Sequence, residues 1–416
     1  MGSSEELAVA TSGELALGEA LRRRLGLLRG GKVVAVEVPG GVLLRPVHPP
    51  LAKVHVEPTS CCNLSCRTCV RNSWSEPLGF MEMDTYLRLV DGLRSVASLQ
   101  SVSFWGFGEP LLHPRVAEMV AMAKQLGART EIITNGLLLS REKSAALIEA
   151  GLDSLVVSID GASPEGYADV RSGASLWQVQ QNLEQLQTLR LLSPRQRPEV
   201  GLEFVAMRRN VRDLPKLAAL ALAVGATRVI VTNVLPYSEE LKDEILYGAV
   251  AGGSYRTFYS EWNPEVRLPR MDLSPGVPEA LATMLNHLFD AAAPSGRLEG
   301  AGGYCRFVSE GSVVVAWDGE VSPCVPLSHS YGCFVMGRRK HIRAYRLGNV
   351  SQESVADIWA KDEYVRFRDR VVRFAFAPCT DCGGCDLAES NEADCAGNTF
   401  PVCGDCLWAK GVIQCP

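Results

Sequence analysis

PTSCCNLSCRTCVRNSW, at residues 58–74, places four cysteines within nine residues. Three of them, Cys62, Cys66 and Cys69, have the spacing C-x3-C-x2-C, and Cys61 offers the competing spacing C-x4-C to Cys66. A loop with the first spacing can direct three thiolates to one face of an iron–sulfur cubane, whereas a structural zinc ion normally takes four ligands in two pairs. A zinc loop or three core cysteines are the alternatives, because reduced cysteine also packs as a small apolar side chain. Three thiolates would leave one iron open, and we interpret Cys61 as a neighbour that packs at a strand end.

Length, composition and charge set the outer bounds. A chain of 416 residues with 47% hydrophobic residues is long enough for two or three domains with sizeable cores. A formal net charge of -5 does not indicate general nucleic-acid binding, and no apolar run approaches the length that spans a bilayer. The first residues, MGSSEELAVATSGE, lack the basic and apolar blocks of a signal peptide. The sequence therefore predicts a cytoplasmic protein without a membrane segment.

The cysteines are distributed unevenly. Of fourteen in the chain, four lie at 61–69, none at 70–304 and ten from Cys305 onward. In a reducing cytoplasm, closely spaced cysteines favour metal sites over disulfides. This distribution predicts one site near the start of a domain and a separate metal-rich module at the C-terminus.

After a proline-rich linker at residues 46–50, apolar β-branched segments alternate with helical patterns. The predicted strands are 54–57, 101–105, 130–134, 154–159, 200–205 and 228–232. The predicted helices are 83–97, 114–127, 140–151, 175–192 and 213–224. This alternation predicts an α/β fold with a parallel sheet built from right-handed crossovers, in which ligands collect at the carboxyl ends of the strands.

Candidate binding residues follow four successive predicted strands. The cysteine loop follows the first strand, GFGEP at 106–110 follows the second, and TNG at 134–136 ends the third. The fourth strand ends in SID at 158–160, and DVRSG follows at 169–173. Glycines permit close backbone approach and turns with positive φ, and asparagine in such a turn can hydrogen-bond a ligand. Each motif alone is typical of an ordinary turn, but together they predict one binding site at this edge of the sheet.

These motifs resemble those of the radical S-adenosylmethionine (SAM) superfamily, whose fold is a partial (β/α)6 TIM-like barrel. The resemblance implies that Cys62, Cys66 and Cys69 hold a 4Fe-4S cluster whose open iron chelates SAM. It also implies reductive cleavage of SAM to methionine and a 5′-deoxyadenosyl radical, with an electron donor such as ferredoxin or flavodoxin. The backbone of 106–110 would bind the SAM amino group, and residues of 158–171 its ribose and carboxylate. The SAM-binding residues implied are Gly106, Phe107, Gly108, Glu109, Pro110, Asn135, Ser158, Asp160 and Arg171.

An independent N-terminal unit is predicted at residues 13–47. A helical segment around 19–25 precedes two short strands, 32–38 and 42–45, which flank a Pro39-Gly40-Gly41 turn. The segment resembles the AbrB-type swapped-hairpin fold, although Leu17-Gly18 replaces the usual Ile-Pro before the helix. The resemblance implies a homodimer through these residues, and we favour dimerisation or partner docking over DNA binding.

The C-terminal module opens with Cys305, Gly319 and Cys324 in the pattern C-x13-G-x4-C, and its hairpin is predicted to turn at Asp318-Gly319. It resembles the SPASM extension, which implies one or two auxiliary 4Fe-4S clusters. A zinc ribbon is the alternative, because two C-x2-C pairs lie twenty residues apart at 379–406. Cys333 is our first choice as a spare thiol and Cys395 the second, and the division of ligands between clusters stays open. The candidate ligands are Cys305, Cys324, Cys379, Cys382, Cys385, Cys395, Cys403, Cys406 and Cys415.

Four units follow from these patterns: 1–48 AbrB-like, 49–240 barrel core, 241–300 helical linker and 301–416 SPASM.

The whole chain resembles maturases associated with tungsten-containing aldehyde oxidoreductases, which implies modification of a partner oxidoreductase or of its tungsten-pterin cofactor. Modification of a ribosomal peptide is the alternative within the enzymes. Sulfatase maturation is disfavoured because Val325 stands where those enzymes carry an aspartate. A DNA-binding or redox-sensing metal protein without turnover is the alternative outside them, and no final acid or base is assigned.

Overall fold

The computed structural model describes residues 17–19, 22, 33–38, 41–46, 49–248, 254–257, 264–272, 275–288, 296–299, 303–380 and 385–414. Near the N-terminus, β1 (Val33–Val38) and β2 (Gly41–Pro46) form a separate antiparallel hairpin in which Val38 pairs with Gly41. These bounds agree with the predicted strands. Glu19 and Arg22 are helical, and the rest of the predicted N-terminal helix lies outside the described residues. The AbrB-like assignment therefore stays a prediction.

Six parallel strands, adjacent in chain order, form the barrel core. They are β3 (Lys53–Val56), β4 (Ser101–Phe104), β5 (Arg129–Thr134), β6 (Ser154–Ser158), β7 (Glu199–Ala206) and β8 (Arg228–Asn233). The first four residues of β6 are all buried, as expected for a strand covered on both faces. The partial TIM-like α/β barrel is therefore confirmed, with strand bounds within two residues of those predicted.

Helices connect these strands and cover the outer face of the sheet. They are α1 (Met83–Leu93), α2 (Val116–Gln125), α3 (Arg141–Glu149), α4 (Pro164–Val170), α5 (Leu176–Leu192) and α6 (Leu214–Ala223). Ser140, Ser163 and Ser175 cap α3, α4 and α5, because each hydroxyl accepts the backbone N–H three residues further along. The short helix α4, which carries the chain from β6 towards Arg171, was not among the predicted elements.

Strands on both sides extend the core into a twelve-stranded sheet within the described residues. Beyond β8 lie β10 (Glu265–Leu268), β9 (Ser254–Thr257) and β11 (Gly296–Glu299), and α7 (Glu239–Lys242) and α8 (Val277–Leu288) belong to the same region. Residues 241–300 therefore contain strands as well as the helical structure expected there. Strand β10 pairs parallel with β8, so this region continues the barrel wall.

The C-terminal module continues the same sheet at its other edge. After α9 (Arg306–Ser309), β12 (Ser312–Val315) pairs parallel with β3, and β13 (Glu320–Ser322) returns through a turn at Gly319. The φ of Gly319 is +85°, so the predicted hairpin turn has the conformation that glycine favours. The remaining elements are β14 (Tyr331–Val335), β15 (Arg338–Ile342), β16 (Gly348–Asn349), α10 (Val355–Ala360) and α11 (Asp362–Arg373).

Barrel and module share one apolar core. Val54 of β3, Val313 of β12 and Phe367 of α11 belong to the same buried cluster. The cysteine loop is thereby held between the barrel and the module. Within the described part of the chain, no helix combines the length and apolar character needed to cross a membrane.

Candidate active site

Arg71 holds the cysteine loop from within. The loop leaves β3 and ends in a 3-10 turn at Val70–Ser73. The guanidinium of Arg71 donates to the carbonyls of Ser60 and Leu64, at 3.0 Å each. These carbonyls would otherwise need water where the chain bends around the cysteines, so Arg71 stabilises the bend.

Two further side chains tie this loop to the barrel. Asn72 donates to the carbonyl of Cys66 at 3.0 Å and to the hydroxyl of Tyr237, which follows β8, at 2.8 Å. Arg67, inside the loop, forms an ion pair with Asp169 of α4 at 3.0 Å. The loop is therefore fixed by the segments that follow β6 and β8.

The three predicted thiols lie in one electrostatic environment. Burial raises the pKa of Cys66 to about 11, Arg171 opposes that rise, and Cys69 and Cys62 add to it. Burial also raises the pKa of Cys69, against the nearby Arg71. Thiols with such values stay protonated at neutral pH, whereas binding to iron converts them to thiolates. The set offers three soft sulfur donors beside two guanidinium groups, which suits an anionic iron–sulfur cluster.

Within the described residues, no three His, Cys, Asp or Glu side chains are grouped as ligands of one metal ion. The three thiolates of a cubane bind three different irons, so they lie farther apart than the ligands of a single ion. Three soft sulfur donors in one loop suit a cluster with an open iron, whereas a structural zinc ion normally takes four ligands.

The GFGEP loop packs against the start of the cysteine loop so closely that side chains have no room. A Cβ atom on Gly108 would lie 2.0 Å from the carbonyl oxygen of Thr59 and 2.7 Å from that of Cys61. A Cβ atom on Gly106 would lie 2.5 Å from Cγ of Glu57. Glycine is favoured at both positions because of this close approach to the cysteine loop and to Glu57. The predicted close approach of the 106–110 backbone to SAM stays a prediction.

Glu109 is a buried carboxylate that links the GFGEP loop to the end of β5. It is buried, and its carboxylate accepts the N–H of Leu111 at 3.0 Å, the hydroxyl of Thr134 at 2.7 Å and the N–H of Asn135 at 2.7 Å. Burial raises its pKa despite these donors. The Glu109 side chain therefore joins the ends of β4 and β5 and is not available as a ligand.

Asn135 lies beside the cysteine loop, as predicted. Its amide donates to Oδ1 of Asn63 at 2.8 Å and lies 3.9 Å from Sγ of Cys62. Its own Oδ1 accepts the N–H of Leu137, and Gly136 has a φ of +78°. The expected turn with positive φ is therefore confirmed, and it directs the amide towards Cys62.

Asp160 and Arg171 form a buried ion pair with unsatisfied atoms. Oδ2 of Asp160 lies 2.9 Å from Nη2 of Arg171 and has no partner beyond this ion pair, and Nε of Arg171 makes no hydrogen bond. The buried hydroxyl of Tyr167 also has no partner. Buried polar atoms without partners are rare and call for a ligand or water. A molecule with an ammonium, a carboxylate and sugar hydroxyls, such as SAM, could supply these partners.

Glu203 joins this group from β7. Its Oε2 accepts the hydroxyl of Ser158 at 3.3 Å. Burial and the neighbouring Asp160 raise the pKa of Glu203 to about 7, although Arg171 opposes the rise. Ser158, Asp160, Arg171 and Cys66 thus meet around one site with Glu203, which is not among the predicted binding residues. A carboxylate in the apolar segment 200–205 was the signal for it, and Tyr167 gave no comparable signal.

Four cysteines of the C-terminal module converge although they are distant in sequence. Cys305, Cys324, Cys403 and Cys406 line one cavity of about 950 Å³ between barrel and module. Burial raises the pKa of Cys324 well above its ordinary value, and Cys305, Cys406 and Cys403 raise it further. Four soft donors that line one cavity suit an iron–sulfur cluster. Cys333 lines the same cavity, and burial raises its pKa to about 12.

The other predicted ligands lie on the segments that follow α11. Cys379 is half-buried, and Cys385 and Cys395 are exposed. Asp394, next to Cys395, accepts the N–H of Ala377 at 3.0 Å, so the two segments pack together. Cys382 and Cys415 lie outside the described residues.

Known proteins share both the sequence and the fold of this chain. The model of the radical SAM superfamily matches residues 56–193, and the model of the SPASM iron-sulfur cluster-binding domain matches residues 305–386. A tungsten-containing aldehyde ferredoxin oxidoreductase cofactor-modifying protein from Pyrococcus furiosus is 33% identical over 367 residues, which cover 87% of this chain and 96% of that protein. The chain belongs to the radical SAM superfamily. It is a radical SAM enzyme with a SPASM domain.

Two further comparisons concern the radical SAM core and the fold. A PqqA peptide cyclase from Granulibacter bethesdensis is 29% identical over 192 residues, 46% of this chain and 49% of that protein. The crystal structure of Streptococcus suis SuiB bound to S-adenosylmethionine has a TM-score of 0.55 at 14% identity, covering 80% of this chain and 71% of that chain. The second likeness shows the fold alone.

Membership of the radical SAM superfamily determines which cofactors the enzyme uses. A radical SAM enzyme with a SPASM domain uses SAM and 4Fe-4S clusters, so the zinc reading of the first cysteine loop is wrong. The reading as a metal protein without turnover is wrong for the same reason. Cys305 and Cys324 lie inside the match to the iron-sulfur domain, which favours clusters over a zinc ribbon there.

Proposed function

We propose that this enzyme reductively cleaves SAM at a cluster held by Cys62, Cys66 and Cys69 and matures a tungsten-containing aldehyde oxidoreductase or its cofactor. The observation that supports this most is the match to the Pyrococcus furiosus cofactor-modifying protein over 96% of its length. A match of that extent includes barrel and module together, and not the SAM-binding core alone.

The cluster and SAM would supply the radical chemistry, and the residues of the chain would position SAM. Cys62, Cys66 and Cys69 would hold the cluster, which would supply the one electron needed to split SAM at its C5′–S bond into methionine and a 5′-deoxyadenosyl radical, the species that would take a hydrogen atom from the substrate. The chain's residues position SAM and exclude water. The carbonyls of the 106–110 backbone and the carboxylate of Asp160 are acceptors for its amino group, and Arg171 is the donor for its carboxylate. Ser158 and Glu203 face the ribose side.

For the auxiliary clusters, we assign one to Cys305, Cys324, Cys403 and Cys406. Their convergence on one cavity supports this set, and it leaves Cys333 as a spare thiol. We assign the second cluster to Cys379, Cys382, Cys385 and Cys395, because the segments before Cys379 and around Cys395 are bound together by Asp394. Cys415 is then the second spare, in place of Cys395.

The partner must reach the open end of the barrel. Among candidate partners we favour a tungsten-pterin oxidoreductase, with ferredoxin or flavodoxin as electron donor. A homodimer through residues 13–47 is proposed on the resemblance of that segment alone. Modification of a ribosomal peptide is the second candidate, since the core matches PqqA peptide cyclase over 192 residues.

Two measurements test this function in sequence. Anaerobically reconstituted enzyme with SAM and dithionite should release 5′-deoxyadenosine, and Cys66→Ala should abolish the release. A tungsten-containing aldehyde oxidoreductase, purified from cells with and without this protein, should then differ in mass or in pterin content. Release of 5′-deoxyadenosine with an unchanged oxidoreductase and pterin would reject the tungsten assignment and leave the peptide substrate.

A further inference from the structure

A buried histidine of the C-terminal module bridges two carboxylates of the barrel. Nε2 of His329 lies 2.9 Å from Oε2 of Glu57, and Nδ1 lies 2.7 Å from Oε2 of Glu76. The side chains of His329 and Glu57 are only 4% and 2% exposed. Glu57 directly follows β3, and Glu76 follows the cysteine loop, so the ring joins the module to both ends of that loop.

The arrangement favours a cationic ring. A neutral imidazole has one N–H, whereas here both ring nitrogens face carboxylate oxygens. Burial lowers the pKa of His329, but Glu57 and Glu76 outweigh burial and raise it above its ordinary value of 6.5. Burial raises the pKa of Glu76, but His329 and the N–H of Ser330 outweigh it and lower the value. The other charged group that faces this set, among the described residues, is Arg346, 3.9 Å from Glu76.

Glu57 transmits this contact to the GFGEP loop. Its second oxygen, Oε1, accepts the N–H of Phe107 at 3.0 Å. Its Cγ atom lies against Gly106, where a Cβ atom would come within 2.5 Å. The carboxylate of Glu57 therefore fixes the position and orientation of the backbone at Phe107, next to Gly108.

Aromatic contacts complete the junction. The His329 ring lies 4.2 Å from the ring of Trp74 and 5.7 Å from that of Phe107, and those two rings lie 5.2 Å apart. Trp74 follows the cysteine loop, and Ser73 beside it donates to the carbonyl of Gly332 at 2.8 Å. One residue of the module thus contacts both the cysteine loop and the GFGEP loop.

We propose that His329 is a positioning residue for the SAM site: bound between Glu57 and Glu76, it holds Glu57 against the 106–110 backbone and so sets the affinity for SAM. The inference deepens the proposed function and rests on SAM binding at that loop. It gives the C-terminal module a part in SAM binding that is separate from holding auxiliary clusters.

The test measures SAM dissociation constants on iron-loaded enzyme. We expect His329→Gln to weaken SAM binding by about tenfold, the lower end of the range for residues that act through a ligand-binding group. Glu57→Gln should weaken it similarly, and the double variant should be no worse than either single variant, because both act on one contact. His341→Gln, at an exposed position of β15, is the matched control and should bind like the wild type.

The pH dependence separates positioning from a general structural defect. As pH rises through the raised pKa of His329, the ring loses its charge and one hydrogen bond, so the SAM affinity of the wild type should fall. His329→Gln does not titrate and should lose this component of the pH profile. If His329→Gln loses its iron, Glu76→Gln at the half-buried end should still weaken binding by about two- to threefold, the lower end of what the loss of one hydrogen bond causes.

The outcomes distinguish the two proposals. Wild-type enzyme that carries its clusters but does not bind SAM would overturn the proposed function. Wild-type enzyme that binds SAM, with His329→Gln and Glu76→Gln equal to it in affinity and pH profile, would overturn only the positioning role.

Discussion

Gly108 shows at the scale of one residue how the backbone creates a ligand site. Its neighbours on the inner side are carbonyl oxygens, which cannot move away without breaking the hydrogen bond from the N–H of Glu109 to the carbonyl of Cys61 at 2.8 Å. A methyl group at this position must therefore push the two loops apart.

We predict that Gly108→Ala lowers the rate of 5′-deoxyadenosine formation by about a hundredfold, the usual result of a displacement of about 1 Å at a reacting site. Gly332→Ala is the control, since nothing lies within 4 Å of its Cβ position. Rates and iron content of both variants would be measured against the wild type. Equal rates for Gly108→Ala and wild type would show that the loop does not position SAM.

Glu203 provides a second residue-scale prediction, on stability. Its pKa rises from 4.5 to about 7 in the folded enzyme because of burial. The folded state therefore holds more protons than the unfolded state between these values, and stability falls as pH rises through them. A difference of about two to three pKa units corresponds to about 3 kcal/mol.

Glu203→Gln cannot ionise, so SAM-free Glu203→Gln should melt at a higher temperature than the wild type at about pH 8 and at nearly the same temperature at about pH 5. Thermal unfolding followed by circular dichroism measures both. Exposed Glu149→Gln should follow the wild type at both values. A variant that gains no stability at the higher pH would contradict the raised pKa.

Residues near strand ends could be predicted, and long-range partners could not. Asn135, Asp160 and Arg171 lie where the strand pattern placed them, because each strand has one carboxyl end. His329 and Glu57 are 272 residues apart in sequence, and no local pattern relates them. Glu109 lies after β4, as the sequence predicted. Its carboxylate accepts hydrogen bonds from three protein donors, which no sequence pattern indicates.

Strand β12 is the element that joins the C-terminal module to the barrel. It pairs parallel with β3 in the register Val54 with Val313 and Val56 with Val315. Without it, β3 would be an edge strand with apolar residues, a known site of aggregation. The module therefore protects the strand that carries the cysteine loop.

Removal of residues 301–416 should move the remaining chain into the insoluble fraction on expression, because β3 loses its partner and the core loses one face. Removal of residues 1–48 is the control, since β1 and β2 pair only with each other. That variant should stay in the soluble fraction and, if residues 13–47 form a dimer, elute as a monomer on gel filtration. A well-folded, monodisperse core without 301–416 would contradict the structural role of β12.

At the scale of elements, the six core strands were predictable from their apolar β-branched segments and their spacing. The sheet neighbours of β3 and β8 beyond the core were not. Strand β12 begins more than 250 residues after β3, and its segment SVVV would suit many sheets equally well. Pairing at that distance depends on which edge remains open after the barrel has formed.

For the whole molecule, the chain brings two sets of cysteines to one sheet. The loop at 62–69 leaves β3, and Cys305 and Cys324 flank its neighbours β12 and β13. Cys403 and Cys406 complete the second set from a segment that follows α11. The sequence predicted both cysteine-rich regions and the three ligands of the first. It left the division of the C-terminal ligands open, because Cys305 and Cys403 approach only in the folded chain.

The central claim is that three thiolates leave one iron open and that SAM occupies it. Electron–nuclear double resonance of the reduced enzyme, with SAM isotopically labelled at its amino nitrogen, measures this directly. We predict a hyperfine coupling between the labelled nitrogen and one cluster in the wild type, and its loss in Cys66→Ala while the signals of the auxiliary clusters remain. A wild-type enzyme with a full complement of clusters and no coupling to the labelled nitrogen would contradict the claim.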